Sequence, residues 1–312
     1  MSDDGVAVTV VVASSGQRPQ LLERTLADLA AAELPAGYQG AVIVENGTDG
    51  GAEAVVRQAD ARVKARYLHL PRPSKSAALN AGLEAAADGL IVFLDDDIRV
   101  GEKLLIAYAD AAERAEADPG APRFFGGPID VAYEQEPEPW LRRYLPPSAR
   151  GFRLKDPSEL GKRCFVGINW AAFRQDLLDL GGFDLNYGPG SPTFSTGEET
   201  LAQDQLRERG IEGAYVPEAW VEHWVPADRC TADWVVLREY RRSAQKALFA
   251  KHWGRERNVR LRAAGRAAAA PVMGLLARVR PTPRREFQAR RFRAIVQGLR
   301  AGLRNESSDA RQ

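Results

Sequence analysis

Leu90-Ile91-Val92-Phe93-Leu94 runs without a polar interruption straight into Asp95-Asp96-Asp97. Five consecutive apolar residues suit a strand covered on both faces, as in a parallel sheet. The flanks agree. Ser76 to Ala87 before it is Ala-rich and predicts a helix, and Glu102 to Ala117 after it predicts another. Further upstream lie three more strand-like runs: Val6 to Ala13 (VAVTVVVA), Ala41 to Val44 (AVIV) and Val63 to Leu70. Helical stretches separate them, Gln20 to Ala32 opened by Pro19 and another around Gly51 to Gln58. Strands alternating with helices in this way imply an α/β fold, a mostly parallel sheet flanked by helices. Ligands bind such sheets at the carboxyl ends of the strands. Three of the four strands end there in polar residues: Ser14-Ser15, Glu45-Asn46 and the aspartate triplet.

The second half is less regular. A strand is expected over Phe124 to Val131, a Pro-rich loop over Glu134 to Pro147 and an extended segment over Cys164 to Phe173. Gln175 to Leu180 predicts a short helix, Gly188 to Gly197 a flexible loop, and Glu198 to Arg209 a helix ended by Gly210. Strands follow near Ile211 to Val216 and Trp220 to His223. A helix then starts at the N-cap Thr231 and reaches His252. The expected division is 1–254 as one sheet-based domain, with halves 1–120 and 121–254, then a basic helical extension over 255–304 and a disordered tail over 305–312.

Across 312 residues, 43 Lys and Arg balance 42 Asp and Glu, which argues against a nucleic-acid binder built on phosphate neutralisation. Two cysteines and three histidines give neither a disulfide framework nor a zinc spacing. The start, MSDDGVAVTVVVASSG, lacks the basic residues of a signal peptide, and no apolar run reaches the length of a membrane span. A cytoplasmic location is expected.

Three adjacent carboxylates repel one another unless a cation neutralises them. Oxygen ligands suit Mg²⁺ or Mn²⁺, ions that also take oxygens from a bound diphosphate. An acidic solvated turn is the plainer alternative. A fourth parallel strand ending in Asp-x-Asp resembles the family-2 glycosyltransferases of the GT-A fold, a Rossmann-like fold of nucleotide-diphospho-sugar transferases. The likeness runs from about Val6 to Trp253. Ser74-Lys75-Ser76-Ala77-Ala78-Leu79-Asn80 is similar to the family's Gly-Lys-x-x-Ala-Leu-Asn segment. The resemblance implies that 1–120 binds nucleotide and 121–254 binds acceptor. It places Ala13, Ser14 and Ser15 near the base, Glu45 and Asn46 near base or ribose, and Lys75 near the nucleotide. Asn80 supports the acid-bearing strand, Asp95 or its neighbour Asp96 meets the ribose, and Asp97, with Asp95 beside it, holds the metal.

Gly181-Gly182-Phe183-Asp184 and then Gly197-Glu198-Glu199-Thr200 resemble the family's Gly-Gly-Phe-Asp and Gly-Glu-Asp segments. The latter departs from the pattern, with Glu199 where the family has Asp. By position Glu199 is the base that deprotonates the acceptor, with Glu198 the alternative. A helix N-terminus also favours such acids for capping alone. His223 matches a histidine that completes the metal site in related transferases. A buried histidine bonded to a carbonyl is the other reading, and His69 and His252 match no motif. Arg229 is a candidate for the diphosphate and Gly127 for close approach to the sugar. Asn169, Trp170 and Trp140 are candidates for the acceptor side, each with a core or turn role as the alternative.

Arg255 to Arg304 carries fourteen arginines against two glutamates, with Phe287, Phe292, Ile295, Val296, Leu299 and Leu303 interspersed. This predicts a basic amphipathic helix. It either meets an anionic membrane surface, where a lipid-linked acceptor would lie, or packs on the rest of the chain with a solvated basic face. The expected activity is inverting transfer from a nucleoside-diphosphate sugar, a UDP-sugar above all, to an acceptor hydroxyl. That chemistry would serve a polysaccharide, glycolipid or glycosylated natural product. The competing readings are a nucleotidyltransferase and a non-catalytic sugar-nucleotide-binding protein.

Overall fold

The computed structural model describes residues 5–48, 50–161, 163–192, 196–279 and 281–304. The tail over 305–312 lies outside the described residues. The chain divides into two compact units. The first takes the described residues of Met1–Ala132, Pro146–Ser191 and Gly197–Val225. The second takes those of Tyr133–Leu145, Pro192–Thr196 and Pro226–Gln312.

The first unit is built on strands β1 (Val8–Ser14), β2 (Tyr38–Asn46), β3 (Ala65–Leu70) and β4 (Leu90–Asp95), as the apolar runs predict. Helices α1 (Pro19–Ala31), α2 (Ala52–Gln58) and α3 (Lys75–Ala85) connect them. β1 lies between β2 and β4 and is parallel to both. Its register sets Ser14 beside Glu45, and Ala13 beside both Val44 and Asp95. The three polar strand ends therefore meet because the strands are parallel and in step.

Next come β5 (Ile98–Val100), α4 (Leu104–Ala117), β6 (Phe124–Gly126) and β7 (Ile129–Tyr133). After a short α5 (Pro147–Arg150) follow β8 (Asn169–Phe173), α6 (Arg174–Asp179), α7 (Glu198–Glu208), β9 (Gly213–Tyr215) and β10 (Val221–Val225). The main sheet has the order β3-β2-β1-β4-β8-β6-β9, and a smaller one the order β5-β10-β7. β8 is antiparallel to both β4 and β6.

Two features depart from expectation. The single strand expected over Phe124 to Val131 breaks at Gly127-Pro128, so β6 joins the large sheet and β7 the small one. Pro128 has no amide to donate, and a Cβ at Gly127 would stand 1.7 Å from the Ala219 carbonyl oxygen. The strand β5 directly after Asp97 was not expected. It pairs with β10 so that Ile98 faces His223. An aromatic stack on one face of the main sheet, Phe93 on Trp170 at 4.9 Å with Phe183 edge-on at 5.4 Å to Phe93, supports β4.

The second unit carries three long helices, α8 (Ala232–His252), α9 (Glu256–Val279) and α10 (Pro283–Arg304). Thr231 caps α8, its hydroxyl accepting from the Trp234 amide at 3.2 Å. The expected boundary at 254 falls inside this unit. α10 buries Phe287, Ile295, Val296 and Leu299. Its Gly298 and Gly302 let it approach α8 closely: a Cβ at either would meet a backbone carbonyl oxygen, Tyr240 at 2.2 Å or Ala244 at 2.3 Å. The apolar face of α10 is thus spent on packing.

Candidate active site

The aspartates at the end of β4 are neutralised from within the chain. Lys75, on the first turn of α3, places Nζ 2.6 Å from Asp95 Oδ1 and 4.0 Å from Glu198 Oε1. Burial alone would lower the Lys75 ammonium, but Asp95 and Glu198 outweigh it and raise its pKa. Arg18, in the loop after β1, spans the other two acids. It reaches Asp96 Oδ1 at 2.9 Å and Asp97 Oδ2 at 2.5 Å. The Ser14 hydroxyl donates to Asp96 Oδ2 at 2.5 Å. Burial pushes the Asp96 carboxyl up to about 6, against the pull of Arg18. The repulsion expected of three adjacent carboxylates is real, and two basic side chains answer it.

Arg18 was not among the residues singled out from the sequence. Its signal is a lone cation four residues past the end of a strand whose neighbour ends in three acids.

His223 and Asp97 come together. Trp224 donates its amide to the Asp97 carbonyl at 2.9 Å, which fixes the register there. His223 Nδ1 stands 2.6 Å from the Ser148 carbonyl oxygen, and Nε2 stands 3.3 Å from Asp97 Oδ1. A carbonyl only accepts, so the Nδ1 proton points at Ser148. In the neutral tautomer the Nε2 lone pair then faces a carboxylate oxygen. The two atoms together present a nitrogen and an oxygen donor to a cation, while Arg18 holds the other Asp97 oxygen. Both side chains are buried, at 2% and 1% exposure.

These donors fit a divalent ion of the Mg²⁺ or Mn²⁺ type. Two neighbouring ligands on such an ion, each about 2.1 Å away, stand about 3 Å apart. Among the described residues no group of three or more acidic, histidine or cysteine side chains forms a metal cage.

The other sequence candidates divide. Asn46 ties the strand ends to α3, with Nδ2 donating to the Ser14 carbonyl at 2.9 Å and Oδ1 accepting from the Ser74 amide at 3.2 Å. Asn80 brackets Phe183, accepting from its amide at 2.7 Å and donating to its carbonyl at 2.9 Å. It supports β4 through the Phe183 ring that packs on Phe93. Ser15 is exposed at the end of β1, and Ala13 is buried beside it. Glu45 is fully buried. Its carboxylate accepts from the Gly50 and Ala52 amides and from the Tyr67 hydroxyl, the last at 2.9 Å. Glu45 thus holds the start of α2.

Asn169 and Trp170 are fully buried and do not line an acceptor surface. Asn169 donates to the Pro128 and Ala219 carbonyls and accepts from the Tyr108 hydroxyl, joining the two sheets. Gly127 is a glycine because Ala219 leaves no room for a Cβ. Trp140 and Arg229 belong to the second unit. There Trp140 packs 5.2 Å from Phe287, and Arg229 lies on a 3-10 turn, Ala227–Cys230. His69 contacts the Gly47 carbonyl at 2.9 Å, a structural role.

The two glutamates that open α7 differ in setting. Glu198 is buried, with Oε2 accepting from the Gly197 amide at 3.1 Å and Oε1 facing Lys75. Glu199 is half-buried beside Gly167 and Thr200, and is the one that solvent reaches.

Comparison with known proteins bears on the family and the fold. Residues 5–245 match the family model described as glycosyltransferase like family 2. A succinoglycan biosynthesis protein, ExoM of Rhizobium meliloti (strain 1021), is 30% identical over 230 residues, 72% of this chain and 69% of its own length. An uncharacterized glycosyltransferase of Mycobacterium tuberculosis, Rv0539, is 30% identical over 188 residues, 59% of this chain and 75% of that protein. Among solved structures, a mannosyltransferase from Pyrobaculum calidifontis in complex with GDP-Man and Mn²⁺ superposes with a TM-score of 0.60 at 18% identity, covering 97% of this chain and 88% of that one. GalNAc-T7 with UDP, GalNAc and Mn²⁺ gives 0.53 at 15% identity, over 79% of this chain and 51% of that one. By its sequence match and by its parallel sheet ending in acids, this chain belongs to glycosyltransferase family 2 and has the GT-A fold.

Proposed function

We infer that the protein transfers a sugar from a nucleoside-diphosphate donor to an acceptor hydroxyl with inversion at the anomeric carbon. The observation that carries this reading is the approach of His223 Nε2 to Asp97 Oδ1 at the strand end that also bears the Lys75–Asp95 pair. Asp97 and His223 would hold the divalent ion, with Asp95 and Asp96 adjoining. When bound, the ion supplies Lewis-acid neutralisation of charge on the departing diphosphate.

The chain's own groups do the rest. Asp95 and Lys75, paired at the end of β4, would hold donor hydroxyls and phosphates. Glu199 accepts the proton from the acceptor hydroxyl. The acceptor oxygen bonds to the anomeric carbon as the bond from that carbon to the diphosphate breaks. Glu198, anchored by Lys75 and the Gly197 amide, orients the first turn of α7. The half-exposed setting of Glu199 and the engaged setting of Glu198 favour Glu199 as base.

The relative in succinoglycan biosynthesis supports a glycan acceptor. A UDP-sugar is the expected donor. With the family established, the nucleotidyltransferase alternative falls away. A binding protein without turnover remains the competing reading, because Glu199 replaces the expected aspartate.

The test is a thermal-shift screen of nucleoside diphosphates with and without Mn²⁺, followed by NMR of the product's anomeric proton. A stabilising shift that needs both nucleotide and metal, and an inverted product, is expected. Nucleotide binding without any transfer or donor hydrolysis would favour the binding protein. Retention of configuration would overturn the mechanism.

A further inference from the structure

Helix α9 packs against α10 through one face of its first half. Val259 and Ala263 pack with Ile295 and Leu299 of α10, and Ala263 is the one buried residue among the described side chains of α9. Pro271 interrupts the helix; beyond it, at about 100° of turn per residue, Val272, Leu275 and Val279 fall within about 60° of one another, and before it Leu261 stands opposite Ala263. Leu261, Val272, Leu275 and Val279 are 65%, 58%, 61% and 68% exposed. They form an apolar stripe directed away from the α9–α10 contact.

The edges of the stripe are cationic. Arg260 and Arg278 lie on one edge and Arg262 on the other, all exposed, and no acidic residue occurs from Arg257 to Val279. The positive field extends to α8. Burial and the charges of Arg242, Arg266 and Arg262 hold the Lys246 ammonium below its ordinary value, against Glu239. A second copy meeting this face would bring arginines against arginines. An anionic, apolar-backed surface complements it.

We propose that α9 lies in the plane of an anionic lipid surface, its Leu261–Val272–Leu275–Val279 stripe in the acyl boundary and its flanking arginines on the headgroups. An apolar face with basic edges is the form of an interfacial helix. No described helix is long and apolar enough to cross a membrane, so the helix would lie on the bilayer and not span it. The docking face is therefore on α9. The apolar residues of α10 that the sequence suggested for this role are buried against their own unit.

The experiment is co-sedimentation of the full chain with phosphatidylcholine vesicles, with and without phosphatidylglycerol. Binding only to the anionic vesicles, weakening as salt rises, is expected. Leu275→Asp combined with Val279→Asp should reduce partitioning by more than about tenfold, with the circular dichroism spectrum and melting curve unchanged because both residues are exposed. Should that pair disturb folding, Arg260→Ser with Arg278→Ser tests the charge contribution alone and should also weaken binding. Equal binding to neutral vesicles, or undiminished binding of the folded variants, would overturn the proposal. So would a concentration-dependent dimer in sedimentation velocity that the same substitutions abolish.

Discussion

The two units handle charge in opposite ways. In the sheet-based unit, the charges gathered at the strand ends turn inward and are paired: Lys75 with Asp95, and Arg18 with Asp96 and Asp97. In the helical unit, most of the described arginines of α9 and α10 point outward, while Arg290 pairs with Asp233 and Arg291 with Glu239. Inward charge is expensive to bury, so each group there has a geometric task and one substitution should be felt strongly. Outward charge is solvated and shared among many residues, so single changes should be nearly silent.

The largest expected effect tests the inward side. Glu199→Gln should lower kcat by about 10²–10⁴-fold with the melting temperature unchanged, measured as initial transfer rates. Full activity would remove Glu199 from the base position and leave Glu198 to be tried. Trp170→Ala should cost about 3–5 kcal/mol in chemical denaturation, since it empties the space against Phe93 and Phe183. A small effect there would mean the core can collapse around the gap.

Arg18→Gln should destabilise the metal-free protein by about 1–3 kcal/mol, because two buried carboxylates lose their guanidinium. The stabilisation conferred by Mn²⁺ should then exceed that of the unaltered protein. An unchanged metal response would show that Arg18 and the ion do not share those carboxylates. In the helical unit, Gly302→Val should cost about 1–3 kcal/mol, since its side chain would meet the Ala244 carbonyl and the Ala247 methyl. The smallest effect belongs to Arg300→Ser on the exposed face of α10, within about 0.5 kcal/mol. A large loss there would break the contrast between the units.

Much of this contrast was legible in the sequence. Uninterrupted apolar runs announced β1, β2 and β4, and their polar ends marked the site before any relative was considered. Asp97 and His223 were paired by motif and then by distance. Other features were hidden for physical reasons. β5 is three residues long, and Ile98-Arg99-Val100 carries too little alternation to stand out from the acids before it. Asn169 and Trp170 match an acceptor-side motif, but a motif does not report burial, and both went to the core. Arg18 is distant in sequence from the acids it bridges, and only the parallel register of β1 with β4 closes that distance. The sequence left the apolar positions of α10 open between a lipid surface and packing on the chain, and two glycines it does not mark as contacts bring α8 against them.

All seven residues of β1 are buried, and the strand is hydrogen-bonded along both edges, to β2 and to β4. Amide hydrogens in such a strand exchange with deuterium through complete opening of the unit and not through local fraying. Val10, Val11 and Val12 are therefore a built-in gauge of its global free energy. A nucleotide that binds only the folded form would slow deuterium uptake at these valines by mass action, though it need not touch them.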